Sequence, residues 1–233
     1  MGISLAVEDA PDATTLLRFR HLLEKHGITK RFFDAFHVVL KANGYIMTEG
    51  TIVDAAIIAA PTLTKNKDKA RDPEMKPTKK GSNYHFGMKI HTGVDADSGF
   101  IHNVETTAVN IVDIIMAHKL LHGKEAFLYG DAGYVGIEKR DEFICPCVEF
   151  TDVESFDDES AGNTRYELSF QINKRRSTIK KLSDCRLTDE IRFHEKEKFR
   201  IRAKVELPFH IIKNIFKFKK TVYRGLKKNT ARL

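Results

Sequence analysis

Cysteine and long apolar runs are both scarce in this chain. Its three cysteines, Cys145, Cys147 and Cys185, form neither a C-x2-C pair nor an even set, so neither a disulfide framework nor a cysteine zinc site is expected. No apolar run reaches the roughly twenty residues needed to cross a membrane, and residues 1–10 lack the basic start and long apolar stretch of a signal peptide. The sequence therefore predicts a cytoplasmic protein with reduced thiols that neither spans a membrane nor is exported.

The ten histidines are scattered along the chain. His118 and His122 lie four residues apart on a predicted helix, but no H-E-x-x-H motif accompanies them. A structural role is therefore favoured over metal binding for this pair.

The overall composition is that of an ordinary globular protein with a basic excess. At 233 residues and 42% hydrophobic content, the chain is long enough for one α/β domain with a real core plus an extension. The net charge is +7, with a pI of about 9.2. This moderate excess favours a polyanionic partner such as nucleic acid without establishing one.

One acid lies among bases in a late run, 198–216, that has the character of a helix. Phe199, Arg202, Glu206 and Lys213 keep the spacing F-x2-R-x3-E-x6-K. At about 3.6 residues per turn, Arg202 and Glu206 share one face of a helix, and Lys213 lies two turns farther along that face. An isolated trio of this kind is usually a salt-bridged helix surface; the alternative is a site that acts on a phosphodiester.

Two further acids interrupt or end apolar stretches that predict strands. Asp54 interrupts the apolar segment 52–58, and a buried carboxylate is costly unless a cation compensates it. Asp131 follows the stretch 126–130 and precedes a glycine-bearing turn. Functional sites commonly lie at such strand ends, but Asp131 is equally compatible with capping that turn through its own backbone.

The sequence thus contains a set of three acids, Asp54, Asp131 and Glu206, that is suited to binding two hard divalent cations. Two of these acids are on predicted strands and one is on a predicted helix, and carboxylate oxygens suit Mg²⁺ or Mn²⁺. Two such ions, roughly 3.5–4 Å apart, activate an attacking water or 3′-hydroxyl and stabilise the leaving oxygen of an in-line phosphoryl displacement. The three acids therefore predict polynucleotidyl transfer chemistry.

Several long segments of the sequence resemble those of a known protein family. They include EGTIVDAAIIAAP, TKKGSNYHFGMKIHTGVDADSG, DAGYVGIEKR and RIRAKVELPFHIIK, and the matching segments are 11–20, 49–61, 64–75, 78–99, 117–123, 131–140 and 200–213. In these segments and in their order, the chain resembles the DDE transposases of bacterial insertion sequences. Within them it resembles the insertion-sequence-four superfamily and, most of all, its insertion-sequence-five group. Relatives of this kind extend farther, so the chain is expected to be truncated at both ends.

The resemblance assigns roles to the residues that match the family pattern. It implies that the three acids are the catalytic and metal-binding residues and that they hold two Mg²⁺ or Mn²⁺ ions. Arg202 and Lys213 fall on the basic positions of the family signature Y-x2-R-x3-E-x6-K, and Phe199 stands where tyrosine is usual. The phenylalanine ring can still pack, but any hydrogen bond of the tyrosine hydroxyl is lost.

Bases flank the expected acids in the sequence. One cluster, 65–80, follows the Asp54 strand in a predicted polar loop, and another, 217–228, follows the Glu206 helix and is interleaved with aromatic residues. Bases there are expected to contact DNA phosphates, and the aromatic rings to pack or stack on bases; the alternative is two solvated faces. The expected DNA-binding residues are Lys65, Lys67, Lys79, Lys80, Arg202, Lys213, Lys219 and Arg224.

The resemblance implies an α/β fold with a ribonuclease-H-like core, in which helices flank a mixed sheet. The order of elements predicted from the sequence, strand, hairpin, helix and strand, agrees with that core. The predicted core elements are strands at 45–58, 85–94 and 99–106, a helix at 111–121 capped by Asn110, and a strand leading into Asp131.

Two predicted helices precede this core. Asp12 or Thr14 is expected to cap one helix, which runs to Lys25 and is ended by Gly27, and a second helix at 30–42 is ended by Gly44. We therefore predict a short N-terminal helical segment, 1–44, and a catalytic domain, 45–233. The acidic, irregular part of the sequence predicts an insert at about 143–198 within that domain.

The resemblance implies a transposase that cleaves DNA strands and transfers them during movement of an insertion sequence. Its partners would be double-stranded DNA, both element ends and target, with a homodimer in the DNA complex and no membrane. Bound to DNA, the protein would be associated with the nucleoid. The alternative is a truncated, inactive remnant that only binds DNA; a host ribonuclease-H-like nuclease is a third hypothesis.

Overall fold

The chain folds into a mixed sheet flanked by helices. The computed structural model describes residues 11–47, 49–62, 64, 70–144, 168–180 and 185–233. The strands are β1 (Gly50–Ala59), β2 (Lys76–Lys80), β3 (Asn83–Asp95), β4 (Ile101–Ala108), β5 (Phe127–Gly130) and β6 (Ser169–Ile172). The α-helices are α1 (Ala13–Lys25), α2 (Ile28–Ala42), α3 (Asp113–Met116), α4 (Asp141–Ile144), α5 (Arg176–Lys180), α6 (Cys185–Arg202), α7 (Glu206–His210) and α8 (Leu226–Thr230). Among these helices, none combines the length and apolar character that crossing a membrane requires.

The strands of the described residues form one sheet with an antiparallel and a parallel part. Their order is β2-β3-β1-β5-β6, and β4 also pairs with β3. Each antiparallel pair involves β3, which lies against β1, β2 and β4, whereas β5 and β6 continue the sheet parallel to β1. This mixed sheet is consistent with the expected ribonuclease-H-like core.

The central strand β1 has buried side chains on both faces. Ile52 and Ala56 pack in one core cluster with Val205 and Phe209 of the late helical run, whereas Val53 packs in a second cluster on the opposite face. A strand covered on both sides is expected to be a nearly continuous apolar run. Asp54 is therefore a polar interruption in the middle of the sheet.

Two helices precede the sheet, close to their predicted positions. Asp12 caps α1 by accepting a hydrogen bond from the Thr15 N–H at 2.6 Å. Gly27, between the helices, has a φ of 61°, a left-handed conformation that glycine adopts without strain. Every residue of α1 and α2 is described and none is buried, so apolar side chains such as Phe32 and Phe36 are exposed.

Two predictions about the first half of the core are wrong. The polar loop predicted around Lys79 and Lys80 is in part the strand β2, whose backbone pairs with β3; its mostly exposed side chains give it the composition of a loop.

Asn110 does not cap the predicted helix at 111–121, because α3 begins at Asp113, after Val112. The Lys89 Nζ donates to the Ile111 carbonyl at 2.6 Å and to the Asp113 carboxylate at 2.8 Å. This lysine therefore holds the Ile111 carbonyl outside the helix, and α3 passes into a 3-10 turn, Ala117–Leu120.

The stretch 143–198, predicted to be an irregular insert, contains regular elements among its described residues. β6 pairs in parallel with β5 and extends the sheet, and α6 begins at Cys185. The acidic run 152–160 lies outside the described residues.

The late helical run predicted at 198–216 is present but changes its geometry. α6 passes through a 3-10 turn, Ala203–Val205, into α7 and then a π-helical turn, Ile211–Ile215. Pro208 has no N–H to donate, and a proline ring crowds the carbonyl four residues earlier, here that of Lys204. The proline therefore explains why the α-helical ladder is interrupted just before Glu206.

Candidate active site

Asp54 and Asp131 lie side by side on neighbouring parallel strands. Ile52 of β1 is paired with Tyr129 of β5 and packs in the same cluster, and each acid comes two residues after its member of that pair. Side chains two residues apart on a strand lie on the same face. The register therefore brings both carboxylates to one face of the sheet, at the end of β5.

Asp131 also caps the turn that follows β5. Its Oδ1 accepts a hydrogen bond from the Gly133 N–H at 2.8 Å, at the start of a 3-10 turn, Ala132–Tyr134. The two roles considered for Asp131, capping and membership of a site, are therefore compatible in the structure.

Glu206 reaches the same face of the sheet because the late helical run packs there. Val205 and Phe209, four residues apart, are buried against Ile52 and Ala56, and Glu206 lies between them in the sequence. The Arg202 Nη1 is 3.6 Å from the Asp54 Oδ2. Apolar packing and this ion pair together hold the helical run against β1.

Phe199 contacts the same arginine. The Arg202 guanidinium carbon is 5.5 Å from the centre of the Phe199 ring, within the range of a cation–π contact. The Phe199 ring, which is 55% exposed, therefore keeps a contact with Arg202 at the surface.

The three acids line a single cleft of about 640 Å³. Arg202 and Lys213 line it too, as does Lys80 from β2. The other residues that line the cleft are Ala55, Ala56, Ile57, His85, Phe209, His210 and Asn214. Residues from the central strand, the β2–β3 hairpin and the late helical run therefore surround one concave surface with both charge signs.

Asp54 is electrostatically coupled to the other two acids. Burial raises the pKa of Asp54 to about 6, and the charges of Asp131 and Glu206 act in the same direction. The Ala55 N–H, which donates to the Asp54 Oδ1 at 2.7 Å, and the Arg202 charge lower the pKa in opposition. A carboxylate strained in this way by burial and by like charges gains from a nearby cation.

Two of the same acids also affect the pKa of Lys213. Burial lowers the pKa of Lys213, and the nearby Lys80 lowers it further, whereas Glu206 and Asp54 raise it. The two lysines and the acids of the cleft therefore interact with one another, although they come from distant parts of the chain.

The donor set of the cleft fits hard divalent cations. Its three carboxylates are the ligand type that Mg²⁺ and Mn²⁺ prefer, and their mutual repulsion at Asp54 is the kind that a bound cation relieves. Among the described residues, the group of three ligand atoms within 4.8 Å of one another is formed elsewhere, by His102, His122 and Glu125. The three acids of the cleft do not form such a group.

Three other predicted DNA-binding residues, Lys79, Lys219 and Arg224, do not line the cleft. Lys79 is exposed on β2, with its Nζ 5.5 Å from the Tyr84 ring centre. Lys219 and Arg224 are exposed in the C-terminal segment, which reaches the end of β1 where the Ala59 N–H donates to the Lys219 carbonyl at 3.2 Å. Two further predicted bases, Lys65 and Lys67, lie outside the described residues.

Sequence reasoning missed two histidines that line the cleft, His85 and His210. His210 is four residues after Glu206, so the helical spacing that linked Arg202 to Glu206 would have found it. His85 reaches the cleft only through the pairing of β3 with its neighbours, and local sequence carries no signal for that.

The comparisons with known proteins agree with this geometry. A family model described as Transposase DDE domain matches residues 46–233, which include the three acids and every residue of the cleft. No solved structure matches the chain. The family match covers most of the sequence, and the chain belongs to the transposase DDE domain family.

Proposed function

We propose that this protein is an insertion-sequence transposase that cleaves a DNA strand at the element end and joins it to target DNA. The observation that carries the proposal is the convergence of Asp54, Asp131 and Glu206 on one cleft that also contains Arg202 and Lys213. Family membership supports polynucleotidyl transfer as the type of reaction. The assignment to the insertion-sequence-five group rests on the resemblance of the sequence alone.

The reaction consists of two phosphoryl displacements. In the first, water attacks the phosphorus at the element end, a new P–O bond forms, the bond to the 3′-oxygen breaks, and that oxygen takes up a proton. In the second, the freed 3′-hydroxyl loses its proton, attacks a target phosphate and displaces a target 3′-oxygen. No oxidant or further reactant is required.

The three acids would hold Mg²⁺ or Mn²⁺, two ions in all, in this reaction. Such ions supply Lewis-acid activation of the attacking hydroxyl and neutralise charge at the phosphate. Arg202 orients the Asp54 carboxylate through the 3.6 Å ion pair, and Lys213 presents a second positive charge to the phosphate. Burial lowers the pKa of Lys213, and an incoming phosphate anion would favour its charged form.

Exposed bases on β2 and in the C-terminal segment would hold the DNA backbone. Lys80 lines the cleft and Lys79 is its neighbour on β2, whereas Lys219 and Arg224 lie in the C-terminal segment that meets the end of β1. Phosphate contacts of this kind fix the position of DNA but do not read its sequence. Recognition of particular element ends is therefore not assigned to these residues.

A cleavage assay tests the proposal. A labelled duplex that carries the genomic element ends is incubated with Mg²⁺ or Mn²⁺ and purified wild type, Asp54→Asn, Asp131→Asn or Glu206→Gln. Glu190→Gln, an exposed acid on α6, is the matched control. We expect nicking at the ends by wild type and the control, and its loss in the other three with DNA binding retained.

Two results would contradict the proposal in different ways. Nicking by all three variants at the wild-type rate would refute the assignment of the acids. A folded wild-type protein that binds DNA in a salt-sensitive manner but never cleaves it would favour the alternative of an inactive remnant.

A further inference from the structure

A second group of candidate metal ligands lies outside the cleft. His102 is on β4, His122 follows the 3-10 turn after α3, and Glu125 precedes β5. One ligand atom from each of the three side chains lies within 4.8 Å of the other two. Three separate segments therefore bring two imidazoles and one carboxylate to a common point.

His102 and Glu125 are buried and His122 is half-buried, and hydrogen bonds hold the carboxylate in place. His102 is 8% exposed and Glu125 is 5% exposed. The Glu125 Oε1 accepts hydrogen bonds from the His122 N–H at 2.6 Å and from the Thr51 hydroxyl at 3.1 Å, and its Oε2 accepts from the Gly123 N–H at 2.7 Å. Buried carboxylates with fixed orientation are typical of metal sites whose ligands are positioned by surrounding groups.

The structure leaves room for the His102 ring at a position where a side chain would exclude it. A Cβ at Gly93 would lie 2.8 Å from the His102 Cε1, closer than side chains tolerate. The ring centres of His102 and His122 are 5.2 Å apart and nearly perpendicular. Because residue 93 is a glycine, there is space for the His102 ring beside His122, and the two rings do not stack on each other.

A fourth donor is near. His37 on α2 has its ring centre 6.4 Å from that of His102, although it is not among the three ligands that already converge. Because α1 and α2 have no buried side chains, a ligand from α2 would attach these helices to the sheet more firmly than apolar packing does.

We infer that His102, His122 and Glu125 form a structural Zn²⁺ site, with His37 as the fourth ligand, that fastens the N-terminal helices to the sheet. Two or three imidazoles with one carboxylate suit Zn²⁺, in contrast to the all-carboxylate cleft that suits Mg²⁺. The two sites are therefore expected to bind different metals, Zn²⁺ at the histidine site and Mg²⁺ in the cleft.

The two sites are also separate in space. Thr51, which contacts both His102 and Glu125, precedes Asp54 by three residues on β1. Three residues of a strand span roughly 10 Å, and side chains at odd and even positions lie on opposite faces. The inference does not depend on the proposed transposase activity, since the site is remote from the cleft.

Zn²⁺ binding to untagged protein tests the inference. The protein is stripped with a chelator, and its affinity for Zn²⁺ is measured by competition with a chromophoric chelator, with metal analysis for stoichiometry. We expect one Zn²⁺ per chain at this site. His102→Ala, His122→Ala and Glu125→Gln should abolish it, whereas His26→Ala, an exposed histidine, and Asp54→Asn should retain it.

If the ligand variants fail to fold, two further variants, Thr51→Val and His37→Ala, still test the inference. Loss of an outer-shell hydrogen bond typically weakens metal binding roughly 10–100-fold, so Thr51→Val should do so in a folded protein. In wild type, Zn²⁺ should slow hydrogen exchange in α2, and His37→Ala should remove that effect.

Four outcomes would count against the inference. Wild type that takes up no stoichiometric Zn²⁺ would leave the group as a hydrogen-bonded network only. Undiminished binding in the ligand variants would place the metal elsewhere, and loss of binding in Asp54→Asn would place it in the cleft. Zn²⁺ binding with unchanged exchange in α2 would refute the role of His37.

Discussion

Acidification should destabilise this protein through the buried His91. The residue is 0% exposed, its Nε2 is 2.8 Å from the Thr107 hydroxyl, and its Nδ1 is 3.9 Å from the Asp113 carboxylate. Burial lowers the pKa of His91 from 6.5 to about 4; the Lys89 charge also lowers it, and Asp113 opposes both. His91 is therefore neutral in the folded protein at pH values where the unfolded chain is protonated.

The sign and size of the effect follow from this difference. Between pH 6.5 and about 4 the unfolded state binds a proton at His91 that the folded state does not, so stability present above pH 6.5 is lost as the pH falls. A difference of about 2.5 pKa units at 1.36 kcal/mol each corresponds to about 3 kcal/mol in full. About 2 kcal/mol of it should already be lost at pH 5.

Urea denaturation of wild type and His91→Gln, from about pH 7.5 to about pH 5, measures this loss. The glutamine keeps a donor for Thr107 but does not titrate, so the variant should lose about 2 kcal/mol less than wild type over this range. His26→Gln, at an exposed position, should follow wild type. Parallel curves for wild type and His91→Gln would refute the reasoning, because the loss would then come from other groups.

Three further predictions concern packing and DNA contact. Phe209→Ala should destabilise the protein by about 3–5 kcal/mol in urea denaturation, because its ring is 7% exposed and packs under the late helical run; a loss below about 1 kcal/mol would contradict that packing. Changing Lys79 and Lys80 to glutamine should weaken DNA binding in fluorescence anisotropy and lower the slope of log affinity against log salt by roughly 1–2; an unchanged slope would mean that β2 does not contact DNA. Gly93→Ala should cost about 1–3 kcal/mol, since the new Cβ would clash with the Leu120 carbonyl oxygen and lie 2.8 Å from the His102 ring. An unaltered unfolding midpoint would rule out this close approach.

Much of the local structure could be predicted from sequence signals. Asp12 and Gly27 delimit α1 as capping rules require, and the apolar run around Asp54 is the buried central strand. Where prediction failed, a distant residue changed the local outcome. The helix expected to start after Asn110 begins at Asp113, because Lys89 binds the carbonyl of Ile111.

The candidate site likewise contains residues that local sequence predicted and residues that it did not. The spacing of Arg202, Glu206 and Lys213 placed them on one stripe by local geometry alone, and all three line the cleft. The assignment of the three acids as catalytic stays a prediction, since the cleavage assay has to test it. His85 entered the cleft without any local signal, because strand pairing joins residues with no regular separation in sequence.

The sequence by itself determined the family and the order of most elements and predicted the three acids of the site, because long matching segments and local periodicity are properties of the chain. Only the tertiary structure decided which distant residues meet. The pairing of Ile52 with Tyr129 sets Asp54 beside Asp131, and the burial of Val205 and Phe209 brings Glu206 to them. The register of strands and the packing of helices depend on contacts between distant segments, so no local pattern contains them.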